Sequence, residues 1–210
     1  MIALLVKDKK MNYDELHFWT KNYIEKNCLI KNRVMPGKLP GTTYTWIFYL
    51  RNGLFNHEFL SAVSQMFIQK VKHEIGHFDF QISGLETGST PLLAGIPLIG
   101  RVFDLNINSF SIRKEQKTYG LLNWIEGMPN EKPVMLIDDL CNSSMSMKKS
   151  YDILQEEKIP VFNYAFSIIN KVNKNIHKET RVKSDMYLPE DIKMIYLFDL
   201  DDFNLENPSH

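Results

Sequence analysis

Residues 134–147 read Val134-Met135-Leu136-Ile137-Asp138-Asp139-Leu140-Cys141-Asn142-Ser143-Ser144-Met145-Ser146-Met147. Four apolar residues in a row suit a strand buried on both faces of a parallel sheet, and residues 148–157 read as the helix that follows it. The two carboxylates and the hydroxyl-rich turn then fall at the strand's carboxyl end. In open α/β sheets that edge is where ligands bind, because the loops splay apart there and the next helix points its positive N-terminus at an anion. Adjacent carboxylates repel a phosphate but accept hydrogen bonds from the hydroxyls of a sugar, while Ser143, Ser144 and Ser146 are placed to donate to the phosphate. The pattern therefore points to a sugar-phosphate site. The competing structural reading has Asp139 and the serines simply capping the helix.

Strand and helix signals alternate along the rest of the chain. Residues 12–27 carry apolar and aromatic positions at helical spacing, and Pro36-Gly37 and Pro40-Gly41 mark a turn region before a β-prone aromatic run at 44–50. A helix is expected over 57–74, a strand near 78–83, a turn at 84–90, and a helix from Pro91 to about 102, with proline in its first turn. Strands near 106–112, 161–169 and 193–198 complete the pattern. Strand, helix and strand repeated in this order predict an α/β fold with a central, mostly parallel sheet of about five strands, flanked by helices. There is no repeat or low-complexity tract, so the 210 residues are expected to form a single domain.

Lysine plus arginine (25) balance aspartate plus glutamate (25), so no global field favours nucleic acid or an anionic membrane. The apolar start at Met1–Val6 is too short for a signal peptide or a membrane span and is followed by charge. A cytoplasmic protein is expected. Cys28 and Cys141 are far apart and outside any metal-spaced group, and are read as free thiols.

Two further segments carry chemistry. Arg113-Lys114-Glu115-Gln116-Lys117-Thr118-Tyr119-Gly120 starts where a strand is expected to end and enters a long polar loop that closes near Ile125-Glu126-Gly127. Long loops in compact domains are commonly lids, and one carrying Arg and Lys can neutralise charge on a departing polyphosphate. The alternative is a solvated charged turn. Ile82-Ser83-Gly84-Leu85-Glu86-Thr87-Gly88-Ser89-Thr90-Pro91 puts glycines and hydroxyls before a helix start, a turn able to cradle phosphate with backbone N–H groups or to serve as a plain connection. His73-Glu74-Ile75-Gly76-His77 matches the HExxH string of zinc peptidases. Gly76 reads as a helix stop, however, which would put His77 off the helix face, and no third ligand is evident.

Taken together, in order and spacing, the acidic stretch 134–146, the RKExKxxG stretch 113–120 and the turn 84–91 resemble the type I phosphoribosyltransferases, most closely the orotate phosphoribosyltransferases. Leu39-Pro40-Gly41 and Tyr49-Leu50-Arg51-Asn52-Gly53-Leu54-Phe55 look like the family's hood and base-side segment, so the resemblance runs from about residue 20 to 205. It implies an N-terminal hood over about 1–55, a phosphoribosyl pyrophosphate (PRPP) binding core over about 56–205, and a mobile lid. It also implies a Mg²⁺-dependent transfer of phosphoribose from PRPP to a nucleobase with release of pyrophosphate, the ion being held through PRPP rather than by protein ligands. By the same resemblance Arg113, Lys114 and Lys117 stabilise the departing pyrophosphate, and Asp138 and Asp139 hold the ribose hydroxyls. Asn142, Ser143, Ser144 and Ser146 take the 5-phosphate, and Glu86, Thr87, Gly88 and Ser89 contact PRPP. Arg51 and Lys171 fall on the base side, and a homodimer is implied.

The chain departs from the family pattern in three places. The phosphate turn has Ser144 and Met145 where glycine and a hydroxyl are usual, Tyr119 replaces a histidine, and Asn170-Lys171 stand where relatives place an arginine for the orotate carboxylate. A non-catalytic PRPP or nucleotide sensor derived from the same fold is the second reading.

Overall fold

The computed structural model describes residues 11–36, 43–116, 123–142, 144–171 and 188–205. The predicted lid residues 117–122, including Lys117 and Tyr119, together with Ser143 and the turn at 37–42, lie outside them. Helices α1 (Tyr13–Asn27) and α2 (Arg51–Leu54) flank a two-stranded antiparallel ribbon of β1 (Leu29–Pro36) and β2 (Thr43–Phe48). Then follow α3 (His57–Glu74), β3 (Gln81–Leu85), α4 (Thr90–Val102), β4 (Ser109–Ile112), β5 (Ile125–Glu126), β6 (Val134–Cys141), α5 (Met145–Glu156), β7 (Val161–Asn170) and β8 (Lys193–Asp199).

The main sheet has the order β5-β4-β3-β6-β7-β8. Five of its strands run parallel, as expected, and the sixth, β5, is a two-residue antiparallel edge strand that pairs Ile125 with Ile112. Two residues are too few to show a periodicity, which is why the sequence read them only as the closing end of a loop.

The apolar run opening β6 alternates between two cores, as side chains on a strand must. Met135 and Ile137 pack with Phe59, Phe67 and Phe166 in the large cluster that α1, α3 and α4 cover. Val134 and Leu136 pack with Met147, Ile153 and Leu154 of α5 on the other face. Leu16, Ile24, Phe48 and Leu54 join the larger cluster, so the N-terminal segment is built onto the core rather than tethered to it.

Asn12 and Glu15 form a reciprocal capping box on α1, and Asn56 accepts the N–H groups of Glu58 and Phe59 to start α3. Helix α3 ends at Glu74, and Gly76 follows at φ 85°, a left-handed stop that only glycine adopts without cost. His77 is therefore off the helix and lies 3.7 Å from Asp79, while His73 projects into solvent at 85% exposure. The two histidines of the HExxH string do not share a helical face.

Other boundaries moved for reasons visible in the side chains. Strand β3 starts at Gln81, three residues later than the expected 78. The buried Gln81 amide donates to the carbonyls of Asn130 and Lys132 and accepts from Asn108, fixing the sheet's edge there. Strand β4 starts only after Asn108, whose side chain also bonds the Met128 carbonyl. Helix α5 begins at Met145 rather than 148, because Ser144 takes the left-handed turn just before it. Both cysteines are free and buried, and burial pushes the Cys28 thiol up to about 11.

Candidate active site

The carboxyl ends of β3, β4 and β6 open on a pocket of about 220 Å³ between the core and the residues that follow β2. Its floor is Asp138, Asp139 and Leu140 at the end of β6. Leu85, Glu86, Thr87 and Gly88 form one wall and Phe48 to Arg51 the opposite one, with Lys114 and Ser146 at the rim. Three segments far apart in sequence thus meet at one sheet edge.

The two carboxylates are held by local bonds. Asp138 Oδ1 accepts the Asp139 N–H at 2.9 Å, and Asp139 Oδ1 accepts the Leu140 N–H at 2.9 Å. Burial, and then the charge of Asp139, raise the Asp138 carboxyl well above the usual carboxylate range; the Asp139 N–H and the charge of Lys114 work the other way and lose. Gly88 packs directly on the pair: a Cβ there would stand 2.7 Å from Asp139 Oδ1 and 3.0 Å from Asp138 Oδ1. Asp139 does not cap α5. The residue preceding that helix is Ser144, whose side chain makes no capping bond. The side chains of the pair are instead bonded to the Asp139 and Leu140 N–H groups.

The remaining predicted residues divide. Thr87, Gly88, Lys114, Ser146 and Arg51 line the pocket together with the acidic pair. The Arg51 guanidinium lies 5.1 Å from the Tyr49 ring centroid. Ser89 is fully buried and its hydroxyl donates to the Leu85 carbonyl at 2.8 Å, so only its backbone faces the loop. Glu86 lines the pocket, but one carboxylate oxygen accepts the Lys114 N–H at 3.0 Å. Arg113 is outside the pocket lining: its guanidinium bonds Glu126 at 2.9 Å and its backbone N–H bonds the Trp124 carbonyl, pinning the neck of the loop. Lys171 is also outside, with Nζ 4.8 Å from the Trp46 ring centroid and its charge disfavoured by burial. Asn142 is exposed beside the turn.

Ser144 stands at φ 56°, and its Oγ contacts the Cys141 thiol at 3.2 Å. The Cys141 thiol is itself pushed up by burial. A left-handed residue with a Cβ costs roughly 1–2 kcal/mol, more than the roughly 0.4–1 kcal/mol of extra unfolded-state freedom a glycine brings. Ser144→Gly is therefore expected to raise the melting temperature by about 2–4 °C, corresponding to roughly 1 kcal/mol in a chain of this size. A thermal melt reads it, and a fall would show that the Cys141 contact outweighs the strain.

No family model matches the chain. The orotate phosphoribosyltransferase of Leptospira biflexa is 27% identical over 150 residues, which cover 70% of this chain and 78% of that protein. Among solved structures, Mycobacterium tuberculosis orotate phosphoribosyltransferase superposes with a TM-score of 0.69 at 14% identity, covering 90% of this chain and 99% of that one. The chain is thus similar to orotate phosphoribosyltransferases in sequence and in fold. Its fold is that of the type I phosphoribosyltransferases, and it extends beyond the orotate enzymes to adenine phosphoribosyltransferase of Trypanosoma brucei, solved with AMP, pyrophosphate and ribose-5-phosphate. There the TM-score is 0.59 at 14% identity, over 93% of this chain and 85% of that one.

Sequence reasoning missed Lys149, whose ammonium bonds the Lys114 carbonyl and lies 5.7 Å from the Trp124 ring centroid. The contact joins residues 35 positions apart, which no local pattern signals. Phe48 also lines the pocket, beside the Tyr49–Phe55 segment that the resemblance places on the base side.

Proposed function

We propose that this protein is a Mg²⁺-dependent phosphoribosyltransferase that moves phosphoribose from PRPP to a nucleobase and releases pyrophosphate. The observation that carries the reading is the convergence of Asp138, Asp139, Gly88 and Lys114 on one pocket at the carboxyl edge of the sheet. The comparisons with orotate and adenine phosphoribosyltransferases support the same reaction class.

Asp138 and Asp139 accept hydrogen bonds from the ribose 2- and 3-hydroxyls. The C1–O bond to pyrophosphate breaks with its electron pair leaving on the pyrophosphate, and a ring nitrogen of the base donates its lone pair to C1 as its own proton passes to the departing pyrophosphate or to solvent. Positive charge grows on the sugar ring, where the two carboxylates steady it, and negative charge grows on the leaving group, where Lys114 meets it. The backbone N–H groups around Thr87 to Ser89 and the hydroxyl of Ser146 are the phosphate donors in this scheme. Lys117 and Ser143 belong to it by resemblance alone. With Asp138 and Asp139 given to the ribose hydroxyls, the Mg²⁺ ion would be held by the phosphate oxygens of PRPP. It would supply electrostatic stabilisation of the departing diphosphate there.

Arg51, which lines the pocket with its guanidinium 5.1 Å from the Tyr49 ring centroid, is the base-side cation in this reading. Lys171, engaged with Trp46, is not. Cytoplasmic location and a homodimer complete the proposal.

Calorimetric titration of PRPP with Mg²⁺, followed by pyrophosphate release across orotate and the common purines and pyrimidines, tests it. Binding followed by turnover on at least one base is expected. Binding without turnover on the whole panel would select the sensor reading, which the Asn142–Met145 turn favours, and no binding would defeat both. With the accepted base, Arg51→Gln is expected to raise its KM by about tenfold, about 1.4 kcal/mol of lost binding. Lys171→Gln should leave that KM within about twofold. The reverse ranking would return the base contact to Lys171.

A further inference from the structure

Lys114 is gripped through its backbone by two side chains from different elements. Its N–H donates to Glu86 in the loop between β3 and α4, and its carbonyl accepts from the Lys149 ammonium on α5. Lys149 also lies over the ring of Trp124, and the Trp124 carbonyl accepts the Arg113 N–H, so the same lysine touches both strands of the loop's neck. Meanwhile the Lys114 side chain lines the pocket, near enough for its charge to act on Asp138.

A lysine stem has four rotatable carbons and directs its charge poorly unless the backbone beneath it is fixed. Electrostatic stabilisation of a leaving group requires the charge to be in place before the reaction, since reorganisation during it is costly. Glu86 commits one carboxylate oxygen to the Lys114 N–H, and that anchoring contact accounts for its position. Bonds from or to an ionised side chain are the stronger kind, which is what a two-point grip needs.

We infer that Glu86 and Lys149 are positioning residues that clamp the backbone of Lys114, linking the pyrophosphate loop and the helix of the phosphate turn to one cation. The inference rests on the proposed function for its kinetic consequence but not for its geometry. The two are tested apart in the full-length chain. Amide hydrogen exchange at Lys114 judges the clamp without any substrate: Glu86→Ala is expected to speed it by about tenfold, while Glu86→Gln, which keeps an acceptor oxygen, stays within about threefold. Unchanged exchange in Glu86→Ala would overturn the clamp.

Pyrophosphate release then judges the consequence. Lys149→Met is expected to slow it about tenfold, with the PRPP dissociation constant moving less than about threefold and Lys149→Arg restoring the rate. In a Lys114→Ala background the further change Lys149→Met should have no effect, because the group being positioned is gone. An affinity loss with the rate unchanged would make Lys149 a substrate ligand and sink the inference. A Lys114→Ala protein with undiminished turnover would sink the proposed role of Lys114 while the exchange result still decides the clamp.

Discussion

Asp138→Asn is expected to raise the melting temperature at pH 8 while weakening PRPP binding by about 100-fold or more, a loss of about 2.7 kcal/mol. Stability and function separate here because the same features oppose each other. Burial and the neighbouring charge of Asp139 raise the Asp138 carboxyl above its unfolded value of roughly 3.9. A carboxyl raised in the folded state favours folding only while it keeps its proton. That contribution is full below the unfolded pKa and is lost as pH climbs through the folded one. At pH 8, well above the unfolded value, the raised carboxyl therefore counts against folding. Asparagine removes the charge and keeps an oxygen to accept the Asp139 N–H, which Asp138 Oδ1 accepts at 2.9 Å. The gain is expected at about 2–4 °C for each kcal/mol relieved, and it should shrink towards zero as the melts are repeated at pH values approaching 4. Calorimetry supplies the other half, since a ribose hydroxyl loses a charged acceptor and that class of bond is worth about 1.5–3 kcal/mol. A variant that melts lower than the parent at pH 8 would mean the carboxylate supports the fold.

The sequence was legible where one segment carried its own answer. The β6 run with its acidic end, the α3 limits at His57 and Glu74, and the glycine stop at Gly76 all follow from neighbours within a few residues. The mostly parallel character of the sheet followed from alternation of element types. What stayed hidden depends on partners distant in the chain. Arg113 reads as a cation for a polyphosphate until Glu126, on the other strand of the neck, claims it. Glu86 lines the pocket but also holds the Lys114 amide on its carboxylate, and Lys171 lies outside that lining with its ammonium over Trp46. Ser89 looks like one more phosphate donor, yet its hydroxyl turns back to Leu85. In each case residue type set what the side chain can do, and tertiary contact set what it does.

Gly84→Ala is expected to cost about 3 kcal/mol or more, a fall of about 6–12 °C in melting temperature. A Cβ at Gly84 would lie 2.2 Å from the backbone carbonyl oxygen of Ile137 and 2.7 Å from the Cβ of Ser89. Neither is the free end of a flexible chain. The Ile137 carbonyl belongs to the central strand, and Ser89 is fully buried and bonded to the Leu85 carbonyl. Relief therefore requires β3 to separate from β6 at the point where one strand delivers the loop with Thr87 and Gly88 and the other delivers Asp138. Gly76 makes the contrast: a Cβ there meets nothing within 4 Å, so Gly76→Ala bears only the left-handed penalty of roughly 1–2 kcal/mol. If close approach at Gly84 is what brings the two segments together, Gly84→Ala loses PRPP affinity even at temperatures where circular dichroism reports it folded, whereas Gly76→Ala keeps affinity despite its own drop in stability. Equal melting temperatures for the two variants, or full affinity in folded Gly84→Ala, would show that the strands can part without disturbing the site.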